Sequence, residues 1–151
     1  MINVVIFCSG DHAKVVFSEI VKYKKYKILG FVDETKEKGT FIAEHFNKKY
    51  YTVGKISEKV QKKNNFRGII AAGLNFKRQK IYKSIIKIDE NFSFETIVSK
   101  NAVINTNVSI GKGTVIVSGA IINYGTKIGN HCIINTSASI DHDNFFEDFS
   151  S

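Results

Sequence analysis

Residues 102–151 read AVINTN VSIGKG TVIVSG AIINYG TKIGNH CIINTS ASIDHD NFFEDF SS when they are divided into groups of six. Isoleucine occupies the third position of each of the first seven groups, and Phe146 occupies it in the eighth. A six-residue step rotates an α-helix by about 240°, so these side chains would not share a helical face. Because side chains alternate along a strand, the same step keeps them on one side of it. A fixed short period of this kind predicts a β-solenoid.

The two parities of the repeat predict an interior and an exterior. Even-numbered positions face the core or, in the mostly polar slots after the core residues, a corner of the coil. If three groups make one coil, residues 18 apart stack, so Val103 lies below Ile121 and Val115 lies below Ile133. These outward apolar stripes favour self-association over docking against the preceding domain. Five glycines fall near these corners, where positive φ is tolerated, namely Gly111, Gly113, Gly119, Gly125 and Gly129.

The first part of the chain has the pattern of a small α/β domain. Ile2–Phe7, Ile28–Val32 and Gly68–Ala72 are short apolar runs typical of buried parallel strands. Amphipathic helical patterns follow the first and third runs, which favours a doubly wound unit. Residues 35–65 are predicted as loop, with one short helix near residues 56–62. We therefore predict a Rossmann-like domain over residues 1–98 and a parallel β-helix over residues 99–151.

The turn after the first strand is a candidate phosphate site. It contains Ser9, Gly10 and His12, and a strand-to-helix turn presents free backbone N–H groups at the positive end of a helix dipole. Asp33 follows the second strand, where such folds place an acid near a ribose hydroxyl. A turn without any ligand remains an equal interpretation of these residues, because only one glycine is present.

His142 is the candidate catalytic residue of the repeat. It occupies a corner position, and Asp141 and Asp143 flank it. A histidine beside a carboxylate can act as a general base near neutral pH. An exposed loop histidine among acids is the alternative that this pattern leaves open.

Composition excludes several other classes. The net charge is +8, but the lysines of the basic first half lie on apparent helix faces without a recognition-helix pattern, so nucleic-acid binding is not favoured. No apolar run has the ~18 residues that a membrane span needs. No spacing of ligand residues suggests a metal. Cys8 and Cys132 lie in separate apolar runs, which predicts reduced thiols in a cytoplasmic protein.

The two halves together resemble the bacterial hexapeptide-repeat sugar acetyltransferases, which include UDP-4-amino-sugar N-acetyltransferases and sialic acid O-acetyltransferases. The resemblance covers nearly the whole chain. Its most specific segments are residues 9–16, 31–34, 75–82, 133–137 and 141–143. It implies a left-handed β-helix, a homotrimer, a sugar nucleotide on the first domain and acetyl-CoA as co-substrate. It also implies glycan biosynthesis, with no metal.

The resemblance also implies roles for individual residues. His142 would be the general base for direct transfer to a sugar amine, Asp143 would orient it, and Asn135 would lie near the reacting centre. Ser9, Gly10 and His12 would contact the phosphates of the nucleotide. Asp33 and Glu34 would lie at its uridine end.

The chain departs from the family pattern in two places. Cys8 and Asp11 replace glycines of the first turn, and a carboxylate there opposes a phosphate. The repeat also stops after eight groups, so we expect a truncated β-helix with an incomplete acetyl-CoA surface. O-acetylation of a sialic-acid-type sugar, or a non-catalytic module that binds sugar nucleotides, are the alternatives.

Overall fold

The computed structural model describes residues 1–151, and the chain divides into two compact units. The N-terminal unit is Met1–Phe94, and the C-terminal unit is Glu95–Ser151. None of the helices has the length and apolar character that crossing a membrane requires.

The N-terminal unit is one five-stranded sheet with three helices. Its elements in chain order are β1 Ile2–Phe7, α1 Asp11–Ile20, β2 Tyr26–Val32, β3 Phe41–His45, β4 Lys48–Gly54, α2 Ile56–Lys59, β5 Arg67–Ile70 and α3 Asn75–Ile88. The strand order is β3-β4-β2-β1-β5. Strand β1 pairs in parallel with β2 and β5, and β2 pairs in parallel with β4, whereas β3 is antiparallel to β4. The three predicted strands are confirmed, and they lie side by side as β2, β1 and β5.

The centre of this sheet is buried because its strands are continuous apolar runs. Val4 through Phe7 are at most 1% exposed, and Phe31 is fully buried. Helix α1 packs an apolar face that includes Val16 and Ile20, both fully buried. Burial of one such side chain contributes about 1.5–3 kcal/mol.

The prediction that residues 35–65 are mainly loop is wrong. Strands β3 and β4 form a hairpin there, closed by Phe46 and Asn47 with φ of 45° and 63°. Two positive φ values are typical of a type I′ turn, which usually contains glycine. The hairpin was missed because the turn has no glycine and because a register shift between Phe41 and Ala43 interrupts the alternation. The short helix is confirmed as α2.

The C-terminal unit is a solenoid of nine two-residue strands. They are β6 Ile97–Val98, β7 Val103–Ile104, β8 Ser109–Ile110, β9 Val115–Ile116, β10 Ile121–Ile122, β11 Lys127–Ile128, β12 Ile133–Ile134, β13 Ser139–Ile140 and β14 Phe145–Phe146. They form three parallel sheets, ordered β12-β9-β6, β13-β10-β7 and β14-β11-β8. Paired residues are 18 apart, as between Val103 and Ile121, so the predicted coil of three groups is confirmed.

The solenoid begins earlier than the predicted boundary between residues 98 and 99. Strand β6 already pairs with β9, so one further group of six belongs to the repeat, with Val98 at its aliphatic position. The interior contains the aliphatic column, in which Ile116, Ile122 and Ile128 are buried. This core forms because every sixth side chain points to the same side of the chain.

The corners have a regular backbone conformation that the glycines only partly predicted. From residue 107 onward, every sixth residue has positive φ, and these are Asn107, Gly113, Gly119, Gly125, His131, Ser137, Asp143 and Phe149. Gly113, Gly119 and Gly125 use this freedom, whereas Gly111 and Gly129 do not have positive φ. A Cβ on Gly111 would lie under 3.0 Å from backbone atoms of the next coil. Glycine occurs at position 111 because the neighbouring coil approaches closely.

Only one of the two predicted outward stripes is exposed. Val103 and Ile121 are 50% and 42% exposed, so this stripe is confirmed. Val115 and Ile133 pair as predicted but are buried, so the prediction that they form an exposed stripe is wrong. Parity determines which side chains point away from the solenoid core, but it does not determine which outward faces are covered.

Candidate functional site

A cavity of about 610 Å³ lies at the carboxyl ends of the central strands of the N-terminal unit. Its apolar wall includes Phe7, Val32 and Ala72, each at or just after the end of a strand. Its polar wall includes Asp33 and the side chains of Lys77 and Lys80. Strand β1 has β2 on one side and β5 on the other, so the strands that follow β1 in the chain lie on both sides of it. Open α/β sheets bind ligands at such a switch point.

Asp33 ties the loop after β2 to the turn after β1. Its Oδ2 accepts a hydrogen bond from Ser9 Oγ at 2.5 Å. Its Oδ1 accepts hydrogen bonds from Thr35 N and Oγ1 and from Lys36 N, at 2.8–3.1 Å. Lys36 Nζ in turn donates to Ser9 O at 2.9 Å. Both oxygens of Asp33 are therefore engaged within the protein, and they hold the turn in place.

These contacts determine the ionisation of Asp33. Burial alone would raise its pKa, but the hydrogen bonds from Ser9, Thr35 and Lys36 outweigh burial and lower the pKa to about 2. The carboxyl therefore remains ionised at every pH at which the protein is normally handled.

The folded pKa of Asp33 predicts a loss of stability in acid. Because this pKa lies below the ordinary value of 3.8, the carboxylate stabilises the fold above about pH 4 and loses this effect as the pH falls towards 2. We expect Asp33→Asn to be less stable than the wild type at pH 5 by about 1 kcal/mol, since solvent screens a partly exposed carboxylate. Urea unfolding measured from pH 5 to pH 2 should show this difference shrinking. A difference that stays constant would contradict the assigned pKa.

The turn before α1 adopts an unusual backbone conformation at its first residue. Cys8 has φ of 91°, a region that side chains rarely adopt, so glycine would be less strained there. Ser9 is fully buried, whereas Gly10 is exposed at the N-cap of α1, and no side chain caps this helix. Asp11 points to solvent and pairs with Lys14 at 3.6 Å. The carboxylate that the sequence places in this turn is thus partly neutralised by a neighbour.

His12 has a polar atom that the protein leaves unpaired. Its Nε2 is buried and makes no hydrogen bond. Burial and, to a smaller extent, the charge of Arg78 lower the pKa of His12 below 6.5. His12 is therefore neutral at neutral pH, so it can hydrogen-bond to a phosphate only by donating the N–H of its neutral imidazole.

Arg78 is a buried cation that the sequence did not single out as a site residue. It is 1% exposed, and its guanidinium donates to Ala72 O, Gly73 O and Asn75 Oδ1 at 2.7–2.9 Å. These bonds fix the loop between β5 and α3. In the sequence, only the resemblance at residues 75–82 could have indicated that Arg78 is important.

Glu34 stabilises the start of α2. Its Oε1 accepts a hydrogen bond from Ile56 N at 2.8 Å, and the rest of the residue is exposed. Ile56 and Glu34 both line the cavity.

The C-terminal unit has a separate candidate site at one corner. His142 Nδ1 lies 2.9 Å from Asp143 Oδ2, and both side chains are largely exposed. The turn stacks on the coil below, since Asp143 N donates to Tyr124 O at 2.8 Å. His142 therefore lies one coil above Tyr124, which is 18 residues earlier in the chain. Such a pair can accept a proton at Nε2 while the carboxylate holds Nδ1.

Asn135 is exposed and follows β12. No hydrogen bond joins it to His142, and its backbone carbonyl accepts a bond from Ala138 N at 3.2 Å. The structure thus pairs Ser9 with Asp33 and His142 with Asp143, but not Asn135 with either. It adds Lys36, Arg78 and the cavity lysines, which the sequence did not identify. No group of three or more His, Cys, Asp or Glu side chains could hold a metal ion.

A family model matches residues 3–85, which is more than half of the chain; its description is the PglD N-terminal domain. Among proteins of curated function, a search by sequence found no match.

Solved structures match almost the whole chain. The acetyltransferase domain of PglB from Neisseria gonorrhoeae FA1090, in complex with acetyl coenzyme A, is 22% identical over 97% of this chain with a TM-score of 0.74. A His-to-Asn mutant of perosamine N-acetyltransferase from Caulobacter crescentus, in complex with CoA and GDP-perosamine, is 26% identical over 96% with a TM-score of 0.76. WeeI from Acinetobacter baumannii AYE is 19% identical over 99% with a TM-score of 0.78. The chain spans 68%, 65% and 68% of these three structures, respectively.

Proposed function

This chain belongs to the family that the PglD N-terminal domain defines, and we propose on that premise that it is an acetyl-CoA-dependent N-acetyltransferase of a nucleotide-activated amino sugar. Two of the similar structures are named as acetyltransferases or their domains, and those two hold acetyl coenzyme A or CoA. The acyltransferase class rests on this likeness, and the rest of the proposal rests on residues of this chain.

The observation that carries the proposal is the His142–Asp143 pair. The 2.9 Å hydrogen bond engages Nδ1, and the imidazole makes no other hydrogen bond, so Nε2 is available to a substrate. A base with an oriented ring is what transfer to an amine requires, because the amine must lose a proton as it attacks.

In the proposed reaction the sugar amine attacks the thioester carbonyl of acetyl-CoA directly. A C–N bond forms, the C–S bond breaks, and CoA leaves as a thiolate. His142 Nε2 takes the proton from the amine and returns it to the thiolate, so that the enzyme is unchanged after each turnover. Asp143 stabilises the imidazolium that forms between these two steps. Asn135 remains a candidate for contact with the reacting groups.

We assign the nucleotide to the cavity of the N-terminal unit. Gly10, which is exposed two residues after the cavity residue Cys8, is the first candidate for contact with the phosphates. His12 is a candidate on the family resemblance, and its buried Nε2 has no partner within the protein. Ser9 and Asp33 bind each other, so their part is to hold the turn. Glu34 also lines the cavity, and it is the candidate for contact with the uridine end of the nucleotide.

We further propose a homotrimer that acts in the cytoplasm on a UDP-4-amino sugar, for glycan biosynthesis. The exposed stripe of Val103 and Ile121 is a candidate surface between copies, because apolar patches on a rigid solenoid favour association. A similar structure holds GDP-perosamine, so an amino sugar linked to GDP is the first alternative acetyl acceptor.

Acetyl transfer by the 151-residue chain tests the proposal directly. We would incubate it with acetyl-CoA and, in separate reactions, a UDP-4-amino sugar, GDP-perosamine and a sialic acid. We expect release of the CoA thiol and a product heavier by one acetyl group with an amino sugar, and none with sialic acid. Transfer only to sialic acid would replace the proposal with O-acetylation. Calorimetry that shows binding of a sugar nucleotide but no binding of acetyl-CoA would favour a non-catalytic module.

A further inference from the structure

The coil below His142 leaves a space that the Asp143 side chain fills. Gly125 lies 18 residues before Asp143, with φ of 74°. A Cβ at Gly125 would lie under 3.0 Å from Asp143 Oδ1, whereas ordinary contact begins at 3.4 Å. The carboxylate that holds His142 therefore occupies a position that any side chain at residue 125 would block.

The next residue of the same coil holds the backbone of the turn. Thr126 is fully buried, and its Oγ1 donates to Asp141 O at 2.9 Å and accepts from Asn144 N at 3.3 Å. One hydroxyl thus joins the backbone on both sides of the two residues that form the candidate site. Asn144 Nδ2 also donates to Asp141 O at 2.9 Å.

We propose that Gly125 and Thr126 are positioning residues for the His142–Asp143 pair. Gly125 leaves room for the carboxylate, and Thr126 fixes the turn, so that Asp143 accepts a hydrogen bond from the Nδ1–H of His142. The Nε2 lone pair is then free to act as the base, because a neutral imidazole carries one proton. This assignment of a catalytic benefit rests on the proposed function, whereas the effect on the histidine tautomer does not.

The repeat itself supplies matched controls. Gly119 has φ of 79°, and a Cβ there would lie 2.8 Å from Ser137 Oγ of the next coil. Thr114 is also fully buried, and its Oγ1 donates to Gly129 O at 2.8 Å and accepts from Cys132 N at 3.0 Å. Replacement of these residues reproduces the backbone strain and the lost hydrogen bonds at corners without a histidine–carboxylate pair.

The test compares Gly125→Ala and Thr126→Val with Gly119→Ala and Thr114→Val. We expect the first two to lower kcat about 10- to 100-fold with little change in KM, as small misplacements of a catalytic group do. In ¹⁵N spectra of labelled histidine, we expect His142 to shift from the Nδ1–H towards the Nε2–H tautomer in these variants only. Thr126→Ser should restore both properties because it keeps the hydroxyl.

The proposal requires that Gly125→Ala lowers kcat through the carboxylate of Asp143. In an Asp143→Asn background, Gly125→Ala should therefore change kcat little further, which a double-mutant cycle measures. The proposal is overturned if His142 keeps its wild-type tautomer in both Gly125→Ala and Thr126→Val, or if the control variants shift the tautomer equally. If the wild type transfers no acetyl group, the proposed function fails while the spectra still decide this inference. If Gly125→Ala does not fold, Thr126→Val and Thr126→Ser decide it.

Discussion

Replacement of His142 by alanine is expected to lower kcat for acetyl transfer by about 100- to 10,000-fold, the usual contribution of a general base. KM for both substrates should change little, because the imidazole acts on the proton that moves in the transition state. The exposed position of His142 means that its removal leaves no cavity and no buried partner unpaired. Steady-state kinetics with a thiol-release assay would measure both parameters.

A residue of the same column serves as the control. Thr106 lies 36 residues before His142, two coils below it, in the equivalent turn position, and it is also exposed. Thr106→Ala should keep kcat within about twofold of the wild type, since surface substitutions away from special features have small effects. Equal kcat values for His142→Ala and the wild type would remove His142 from the mechanism. Unfolding curves of both variants should overlap that of the wild type.

Replacement of Arg78 by methionine is expected to destabilise the N-terminal unit by about 3 kcal/mol. Methionine keeps much of the volume but provides no donor to Ala72 O, Gly73 O or Asn75 Oδ1. Each hydrogen bond to a charged donor contributes about 1.5–3 kcal/mol, and the lower cost of burying a neutral side chain offsets part of the total. Against a total stability of about 5–15 kcal/mol this is a large loss.

Urea unfolding followed by tyrosine fluorescence would measure this effect. Five of the six tyrosines lie in the N-terminal unit, so the signal reports mainly on it. The matched control is Lys83→Met on the same helix, where the side chain is exposed. We expect a change within about 0.5 kcal/mol for this control. An equally small loss for Arg78→Met would show that the three carbonyl groups find other donors.

The sequence was sufficient for those parts of the fold that depend on periodicity. The central strands and the 18-residue coil follow from apolar runs and from a six-residue repeat, and both are confirmed. The β3–β4 hairpin was missed because its turn lacks glycine. The positive φ of His131 and Phe149 was missed for the same reason. The need to close each coil determines the backbone conformation there and outweighs the intrinsic preference of the single residue. The rings of His131 and Phe149 stack with their centroids 5.1 Å apart, because these residues are 18 apart in sequence and lie in successive coils.

The candidate site was predictable only where neighbours in the chain form it. His142 and Asp143 are adjacent, so their contact could be anticipated, and the structure gives its distance. The bond between Ser9 and Asp33 joins residues from different loops, and sequence spacing did not indicate that they engage each other. The buried guanidinium of Arg78 depends on three carbonyl groups whose positions only the folded loop defines.

The 18-residue coil restricts the changes in length that the solenoid accepts. Insertion of a single residue would reverse the parity of every position after it and turn the isoleucine column towards solvent. Insertion of six residues between Thr126 and His142 would keep parity but move each later strand to the next of the three sheets, and His142 would leave the column of Gly125 and Thr126. An insertion before residue 125 would keep the 18-residue spacing between Gly125 and Asp143, so this corner would not change. Length variation that keeps every later strand in its own sheet is therefore expected in multiples of 18 residues.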